Sequence, residues 1–460
     1  MNQTSSEQFG FMEKIVSLCK RRGFIFPGSE IYGGLGGTWD YGPLGALMKN
    51  NIRELWKKRF VQERNDVEYI EGAILMNRRV WEASGHVEGF TDLLVECKKC
   101  HARFRADHME EGQYVGQGKA KAKNQCAMCA GKEFTEPRQF NMMFETYIGP
   151  VHEEGHKVFL RPETAQSMFT NFKNVLESTR RRPPFGIAQA GRCFRNEIQT
   201  GNFIFRSREL EIAEIEYFVK PGEDEKFFDH WLDEWEKFYL DLGIHKEKLR
   251  RYEHPKEKLS HYSKRTVDIE YEFSFGWGEI AGVANRTDFD LKRHSEFSGQ
   301  DLSYFDPESG ERSTPYVIEP TMGVDRAMAT CLMDAYEEVE GGRTTTTESN
   351  KEAEMVLRLH KSIAPIKVAV LPLSKKEPLT QLASGIARDL RKMFFTAYDE
   401  TASIGRRYRR QDEIGTPLCV TVDFESVEDK KVTVRDRDTM AQERVAIAEL
   451  PAYLAHKLEV

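Results

Sequence analysis

Apolar residues recur along this chain with two different periods, and the switches between them divide it into elements. After Pro43, the residues Leu44, Leu47, Met48, Ile52, Leu55, Trp56 and Phe60 follow a helical repeat, which predicts an amphipathic helix opened by the proline. A strand is expected from Val67 to Leu75. Residues 158–172 predict a strand, a proline-marked turn and a helix, with Glu163 near the helix N-terminus. Residues 186–219 hold two extended runs on either side of Thr200-Gly201-Asn202, the pattern of an antiparallel pair. Region 221–265 opens with a helical stripe of Phe228, Trp231, Leu232, Trp235, Phe238 and Leu242, which predicts core packing. A Lys/Arg-rich stretch follows that could face a polyanion. Residues 266–291 alternate, kink at Gly276-Trp277-Gly278-Glu279 and continue past Arg286 to Leu291; residues 316–335 predict a strand ending at Glu319-Pro320, then a helix after Gly323. Glu340-Gly341-Gly342-Arg343 and the Thr-rich run after it suggest a linker or mobile loop. Beyond it, an apolar strand (366–373), a helix (378–394) and a strand (418–424) predict a small doubly wound α/β domain.

Composition narrows the class. A chain of 460 residues accommodates two or three domains, and 40% hydrophobic with 31% charged residues excludes disordered and collagen-like proteins. The net charge of −7 means that any nucleic-acid contact must come from local patches. No apolar run is long enough to span a membrane, and MNQTSSEQFG does not have the pattern of a signal peptide. The expectation is no membrane association and a cytoplasmic location, or an organelle after loss of a transit peptide.

The charged residues of the expected hairpin point to chemistry. Strand alternation would put Arg195 and Glu197 on one face, and Arg206, Arg208, Leu210, Ile212 and Glu214 on one face of the second strand if no bulge shifts the register. Guanidinium forks suit phosphate oxygens and a carboxylate accepts from an amine, although a salt-bridged sheet face would use the same residues. Arg326, in the first turn of its helix, opposes the helix dipole, so it calls for an anionic ligand or an ion pair with Asp325. Arg406, Arg407, Tyr408, Arg409 and Arg410 combine charge with an aromatic ring, as phosphates and stacked bases require, and as a solvated helix end also permits.

Two metal-like patterns have different weight. Cys97-x-x-Cys100 and Cys126-x-x-Cys129, with 25 residues between them, form two knuckles that together close a tetrahedral structural Zn²⁺ site. His152-Glu153-Glu154-Gly155-His156 matches HExxH, but Gly149-Pro150 and Gly155 argue for a loop rather than the helix a zinc peptidase needs.

The helix after Pro43, the FRNE hairpin and Gly323-Val324-Asp325-Arg326 resemble the three signature motifs of class II aminoacyl-tRNA synthetases, and neither HIGH nor KMSKS occurs. RPETAQ (161–166), FRNEI (194–198), EIEYF (214–218), ANRTDFDL (284–291) and EPTMGVDR (319–326) are similar to the homodimeric glycyl-tRNA synthetase family over most of the chain. The resemblance implies an α+β catalytic domain with a mixed, mainly antiparallel sheet flanked by helices (1–96 and 140–345, helical insertion about 221–265). It also implies a zinc-ribbon-like insertion (97–139) and a C-terminal α/β anticodon-binding domain (362–460). The implied reaction is ATP-dependent activation of glycine and its transfer to tRNA(Gly), with ATP as substrate and Mg²⁺ as cofactor. The implied catalytic residues are Arg195 and Arg326. ATP would meet these two together with Asn196, Glu197, Phe205, Arg206, Leu210, Glu279, Ile280, Gly323, Val324 and Asp325, with Glu279 on Mg²⁺. Glycine would meet Arg105, Glu163, Leu210, Glu211, Glu214, Arg286, Glu319, Thr321 and Gly323, and tRNA would meet residues 406–410. Two positions depart from the family pattern: Leu210 stands where an aromatic is usual, and Thr321 where a serine is usual. A different enzyme of the same class and a non-catalytic nucleic-acid-binding subunit are the alternatives.

Overall fold

A seven-stranded sheet forms the centre of the protein in a computed structural model that describes residues 5–111, 123–260, 262–340 and 353–459. Its strands are β1 (Val67–Tyr69), β2 (Phe185–Phe194), β3 (Glu209–Val219), β4 (Leu249–Glu253), β5 (Arg265–Phe273), β6 (Gly276–Thr287) and β7 (Tyr316–Gly323). The spatial order is β4-β5-β6-β7-β3-β2-β1, antiparallel throughout except for the β1–β2 edge. Such a sheet can bury one face and open the other to a ligand.

Alternation along β3 separates the two faces. Ala213, Ile215, Tyr217 and Val219 enter the main core, where they meet Met48, Ile52 and Trp56 of α1 (Pro43–Lys57) and Trp231 and Trp235 of α3 (Asp224–Asp241). Leu210, Ile212 and Glu214 face the other way, over a second cluster that holds Phe169 of α2 (Ala165–Thr170) and Leu291 of α4 (Phe289–Ser298). Beyond β7, α5 (Val324–Asp334) returns across the core, burying Val324, Met328 and Leu332.

Several element boundaries differ from the sequence reading. The hairpin strands end at Phe194 and resume at Glu209, so Arg195, Glu197, Arg206 and Arg208 lie in the connection and not on strand faces. Their backbones are still ordered: Arg195 N–H donates to Arg208 O at 2.8 Å and Arg208 N–H to Gly37 O at 2.8 Å. β1 stops at Tyr69. Residues 265–287 are two strands of a hairpin that reverses at Ser274-Phe275, so Gly276–Glu279 begin β6 and are not a kink. β7 runs through Pro320 to Gly323; its pairing with β3 lapses at Glu319 and Pro320, the second of which lacks an N–H, and keeps the same register on both sides. The linker suggested for 340–352 lies outside the described residues from Gly341 onward.

A three-stranded sheet (Thr91–Glu96 between Arg103–Arg105 and Arg138–Asn141) carries the cysteines over a small core of Val95, Phe104 and Met109. The C-terminal unit has β8 (Val368–Pro372), α6 (Leu379–Leu390), β9 (Thr396–Tyr398), α7 (Ile404–Glu413), β10 (Leu418–Val422), β11 (Lys431–Asp436) and β12 (Gln442–Ala446), in sheet order β9-β8-β10-β11-β12. The first three strands of that order are parallel, as the alternating βαβ pattern requires. No helix among the described residues is long and apolar enough to cross a membrane.

Candidate active site

The open face of the sheet holds a cleft of about 180 Å³ built from β3, β6, β7, the 195–208 connection, the turn before α2 and the start of α5. At one end Arg195 is fixed by its Nε, which donates to Pro162 O at 3.0 Å. Glu197 is buried, and its Oε2 lies 3.5 Å from Arg206 Nη1. Glu197 Oε2 and Arg206 Nε make no hydrogen bond among the described residues. An opposed but loosely paired carboxylate and guanidinium leave acceptor and donor capacity for a ligand.

Arg326 lies beside them. Its Nη1 donates to Glu279 O and Oε2, each at 3.0 Å, its Nε to Phe205 O at 3.2 Å, and its Cζ stands 4.6 Å from the Phe205 ring centroid. Its ion pair is therefore with Glu279 and not with the adjacent Asp325. Desolvation in the cleft pushes the Glu279 carboxyl up, but Arg326, with Arg195 and Arg206 further off, brings it below the ordinary range. Gly278 makes room for Phe205, since a Cβ there would come within 2.8 Å of the ring.

The other end collects carboxylates. Glu214 Oε2 accepts from Thr164 N–H at 2.9 Å and from the Thr164 hydroxyl, and its Oε1 accepts from Thr321 Oγ1 at 3.2 Å. Glu163 accepts from Gln166 Nε2 at 2.9 Å and faces His86 Nε2 at 3.2 Å. Glu319 Oε1 accepts from Arg286 Nη1 at 2.8 Å, while the rest of that guanidinium forks onto Asp290 at 2.7 and 2.9 Å. Burial, with Glu214 and Glu163 close by, raises Glu319 to about 8 even against Arg286. Burial and Glu163 also raise Glu214. Burial works against Glu163 too, but His86, Arg286 and Gln166 hold it below the usual carboxylate range. Three carboxyls around a small cavity suit a compact cation.

Glu163, Arg195, Glu197, Phe205, Arg206, Leu210, Glu214, Glu279, Glu319, Thr321, Gly323, Asp325 and Arg326 line the one cleft. Other expected residues stand elsewhere. Glu211 points to the opposite face of β3, where Lys49 and Arg53 of α1 pair with it at 3.2 and 3.3 Å, so strand alternation removes it from the site. Arg105 is held by Asp92 and Asp107, each at 2.8 Å, outside the lining. Arg286 stands behind Glu319, and Asn196, Ile280 and Val324 contribute backbone or core packing. Asp325 spends its carboxylate on Lys49 Nζ (2.6 Å), the Tyr41 hydroxyl and Glu211 N–H (2.6 Å), tying α1, β3 and α5 together. Sequence reasoning missed Thr164 and Gln166, which sit inside the RPETAQ string, and also His86 and Tyr262, whose surroundings carry no local signal.

In the C-terminal unit the five basic and aromatic residues do not share a surface. Arg407 is enclosed and donates to Pro372 O, Asp399 O and Leu373 O, and Tyr408 bonds Thr421 Oγ1, so neither offers its polar atoms to a phosphate. Arg409 pairs with Glu354 at 2.6 Å and Arg410 with Asp399 at 2.5 Å, while Arg406 is exposed.

Cys97, Cys100, Cys126 and Cys129 bring their sulfurs within 4.8 Å of one another, with Cys97–Cys129 at 3.6 Å and Cys100–Cys126 at 3.5 Å. A tetrahedral zinc with ~2.3 Å bonds sets sulfurs about 3.8 Å apart, so the donor set fits that ion. His152 and His156 instead lie in the connection between the strands Phe144–Tyr147 and Lys157–Leu160, and the His152 ring stacks on Tyr147.

Comparison with known proteins shows the family. Residues 144–336 match the tRNA synthetase class II core domain (G, H, P, S and T), and residues 367–457 match the anticodon binding domain. The glycine–tRNA ligases of Thermobifida fusca and Streptomyces coelicolor are each 54% identical over 455 residues, 97% of this chain and 98% of theirs. That of Caldanaerobacter subterraneus subsp. tengcongensis is 54% identical over 466 residues. A prolyl-tRNA synthetase from Cryptosporidium parvum, solved with L-proline and AMP, superposes with a TM-score of 0.62 over 98% of this chain and 78% of that one; at 16% identity it speaks for the fold alone. With more than half its residues identical to these relatives across nearly its whole length, the chain belongs to the glycine–tRNA ligase family of class II aminoacyl-tRNA synthetases.

Proposed function

We propose that this cleft activates glycine with ATP and passes it to the 3′ end of tRNA(Gly). The observation that carries the reading is the junction, in one small cavity, of anion-holding Arg195 and Arg326 with the carboxyls of Glu163, Glu214 and Glu319. In the first step a glycine carboxylate oxygen bonds to the α-phosphorus of ATP, the Pα–O–Pβ bond breaks and pyrophosphate leaves. Arg195 holds the attacking carboxylate and the α-phosphate, both anions, in line. Glu197 accepts from the adenine amine, Arg206 neutralises phosphate oxygens, and the Phe205–Arg326 stack bounds the base or the terminal phosphate. In the second step the terminal adenosine hydroxyl of tRNA bonds to the glycyl carbonyl carbon and AMP leaves.

Glycine offers one ammonium and no side chain. Glu163, Glu214 and Glu319 receive the ammonium, and the Thr321 methyl limits room beside the α-carbon. Glu279 would hold Mg²⁺, which supplies charge neutralisation at the phosphates and suits oxygen donors shared with substrate. The four cysteines would hold a structural zinc, leaving no open coordination position for catalysis. A second copy of the chain suits the loop before α1, where Ile31, Tyr32 and Leu35 are 89, 86 and 63% exposed and the backbone is tied to the 195–208 connection. Exposed Arg406 is the member of its run best placed for tRNA. The catalytic, zinc-bearing and anticodon-binding divisions are read as in the sequence, and the location as cytoplasmic.

Pyrophosphate exchange with a panel of amino acids, followed by charging of tRNA(Gly), tests this reading. Exchange with glycine alone and stable glycyl-tRNA are expected. Preference for another amino acid would assign the pocket elsewhere in the class, and no exchange at all would leave a binding protein. For the metal, Cys97→Ser with Cys100→Ser is expected to lose one zinc per chain by elemental analysis while pyrophosphate exchange persists. Full zinc in that variant would contradict the cysteine site.

A further inference from the structure

Glu216 sits one strand repeat below Glu214 on the cleft side of β3, and its environment differs from that of the other pocket carboxyls. It is fully buried, and neither carboxyl oxygen has a hydrogen-bond partner among the described residues. The pairs Glu214–Thr321 and Tyr217–Ile318 keep one register across β3 and β7, which sets Glu216 directly opposite Glu319. Cross-strand neighbours on one face have Cβ atoms about 4.5–5.5 Å apart. On its other side Glu216 pairs with Ile187 of β2, an apolar wall.

The charges facing this pair do not balance. Glu214 adds a carboxyl from β3, Glu163 another from the turn before α2, and Asp290 another from α4; Arg286 at the end of β6 is the guanidinium between them, and it is already forked onto Asp290 and bonded to Glu319. Tyr262 lies against Arg286, His294 of α4 bonds Gln166 and His86 faces Glu163, so none of these delivers a cation to Glu216. Two opposed buried carboxyls with half of one guanidinium between them cannot both be ionised.

We propose that Glu216 is a positioning residue of the amino-acid pocket: it shares one proton with Glu319, and the ammonium of the incoming amino acid replaces that proton, which leaves to solvent. The idea rests on reading Glu319 as an ammonium ligand. Its consequence is that the pocket presents a fixed charge whether empty or filled, at the cost of binding that depends on pH. Burial pushes Glu216 well above the ordinary carboxylate range and Glu319 to about 8, the direction the shared proton requires. While the empty pair holds its proton it must release it on binding, so glycine affinity falls by up to about tenfold per pH unit on acidification; once the pair has lost that proton at alkaline pH the affinity levels off.

Calorimetry with glycine and the full chain tests this in two buffers of different ionisation enthalpy. At pH 7 close to one proton released per glycine bound is expected, declining at alkaline pH where the pair has already lost it. No release from the unmodified chain overturns the proposal without needing any variant. Glu216→Gln, nearly isosteric and unable to titrate, is expected to abolish both the release and the pH dependence of the glycine KM. Release that persists in Glu216→Gln assigns the proton to another group and also overturns it. Glu319→Gln separates the underlying reading: it raises the glycine KM at every pH if Glu319 receives the ammonium, and unchanged glycine binding there removes that reading itself.

Discussion

At the end of the cleft around Glu197 and Arg206, a carboxylate and a guanidinium face each other at 3.5 Å with polar atoms left unbonded, and the residues come from a loop held by backbone hydrogen bonds. At the end around Glu214, Glu163 and Arg286, side chains on strands and helix starts are bonded to one another at 2.7–3.2 Å in a buried network. The first end can exchange partners when a large polyanion arrives and leaves. The second is set before any ligand comes, which suits a substrate with almost no surface to recognise. A methyl in a pocket is worth only ~1–3 kcal/mol, so under the proposed reading selection for the smallest amino acid would depend on a rigid frame more than on added contacts.

The rigid end is most directly broken at Arg286. Arg286→Leu leaves Asp290 and Glu319 buried without their shared cation, and a loss of about 3–5 kcal/mol in catalytic-domain stability is expected by denaturant unfolding. A loss under about 1 kcal/mol would mean that the network relaxes as freely as the loop end. Arg195→Ala probes the adaptable end: pyrophosphate exchange is expected to fall at least about a hundredfold with the fold intact, because it removes a donor to developing charge. Near-normal exchange in a folded variant would remove Arg195 from the chemistry.

Glu214→Gln sharpens the contrast between the ends. Losing one charge-assisted contact should raise the glycine KM on the order of tenfold and leave the ATP KM nearly unchanged. Equal effects on both substrates would show that the ends are not separate. The smallest expected effect concerns Leu210. Since Arg326 already lies over the Phe205 ring, Phe205→Ala should raise the ATP KM several-fold, as loss of a stacking surface does, while Leu210→Phe should be neutral or slightly harmful. An improved ATP KM in Leu210→Phe would show that the aromatic surface is missing from this chain.

Much of the fold was legible because its signals are local. The apolar face of α1, the tryptophan stripe of α3 and the βαβ rhythm of the C-terminal unit each reflect a repeat within a single element. The limits of β2 and β3 were not legible, because the ordered connection from Arg195 to Arg208 depends on contacts with Gly36, Gly37 and Pro162, far away in sequence. Arg407 shows the same limit in reverse: a basic run looks like a surface until the turn of α7 sends one member inward to capture the carbonyls of Pro372 and Leu373 at the end of β8.

By itself the sequence determined the order of the elements, the four-cysteine knuckle pair and the class II motifs with most of their charged residues, since each is written in spacing and residue type. Only the tertiary structure decided which charges face each other. Alternation sends Glu211 to Lys49 and Glu214 to Thr164 from the same strand, Asp325 becomes a tie between three elements, and Glu216 comes opposite Glu319. Electrostatic energy depends on distance and burial, and both are set by segments far apart in the chain meeting around one sheet.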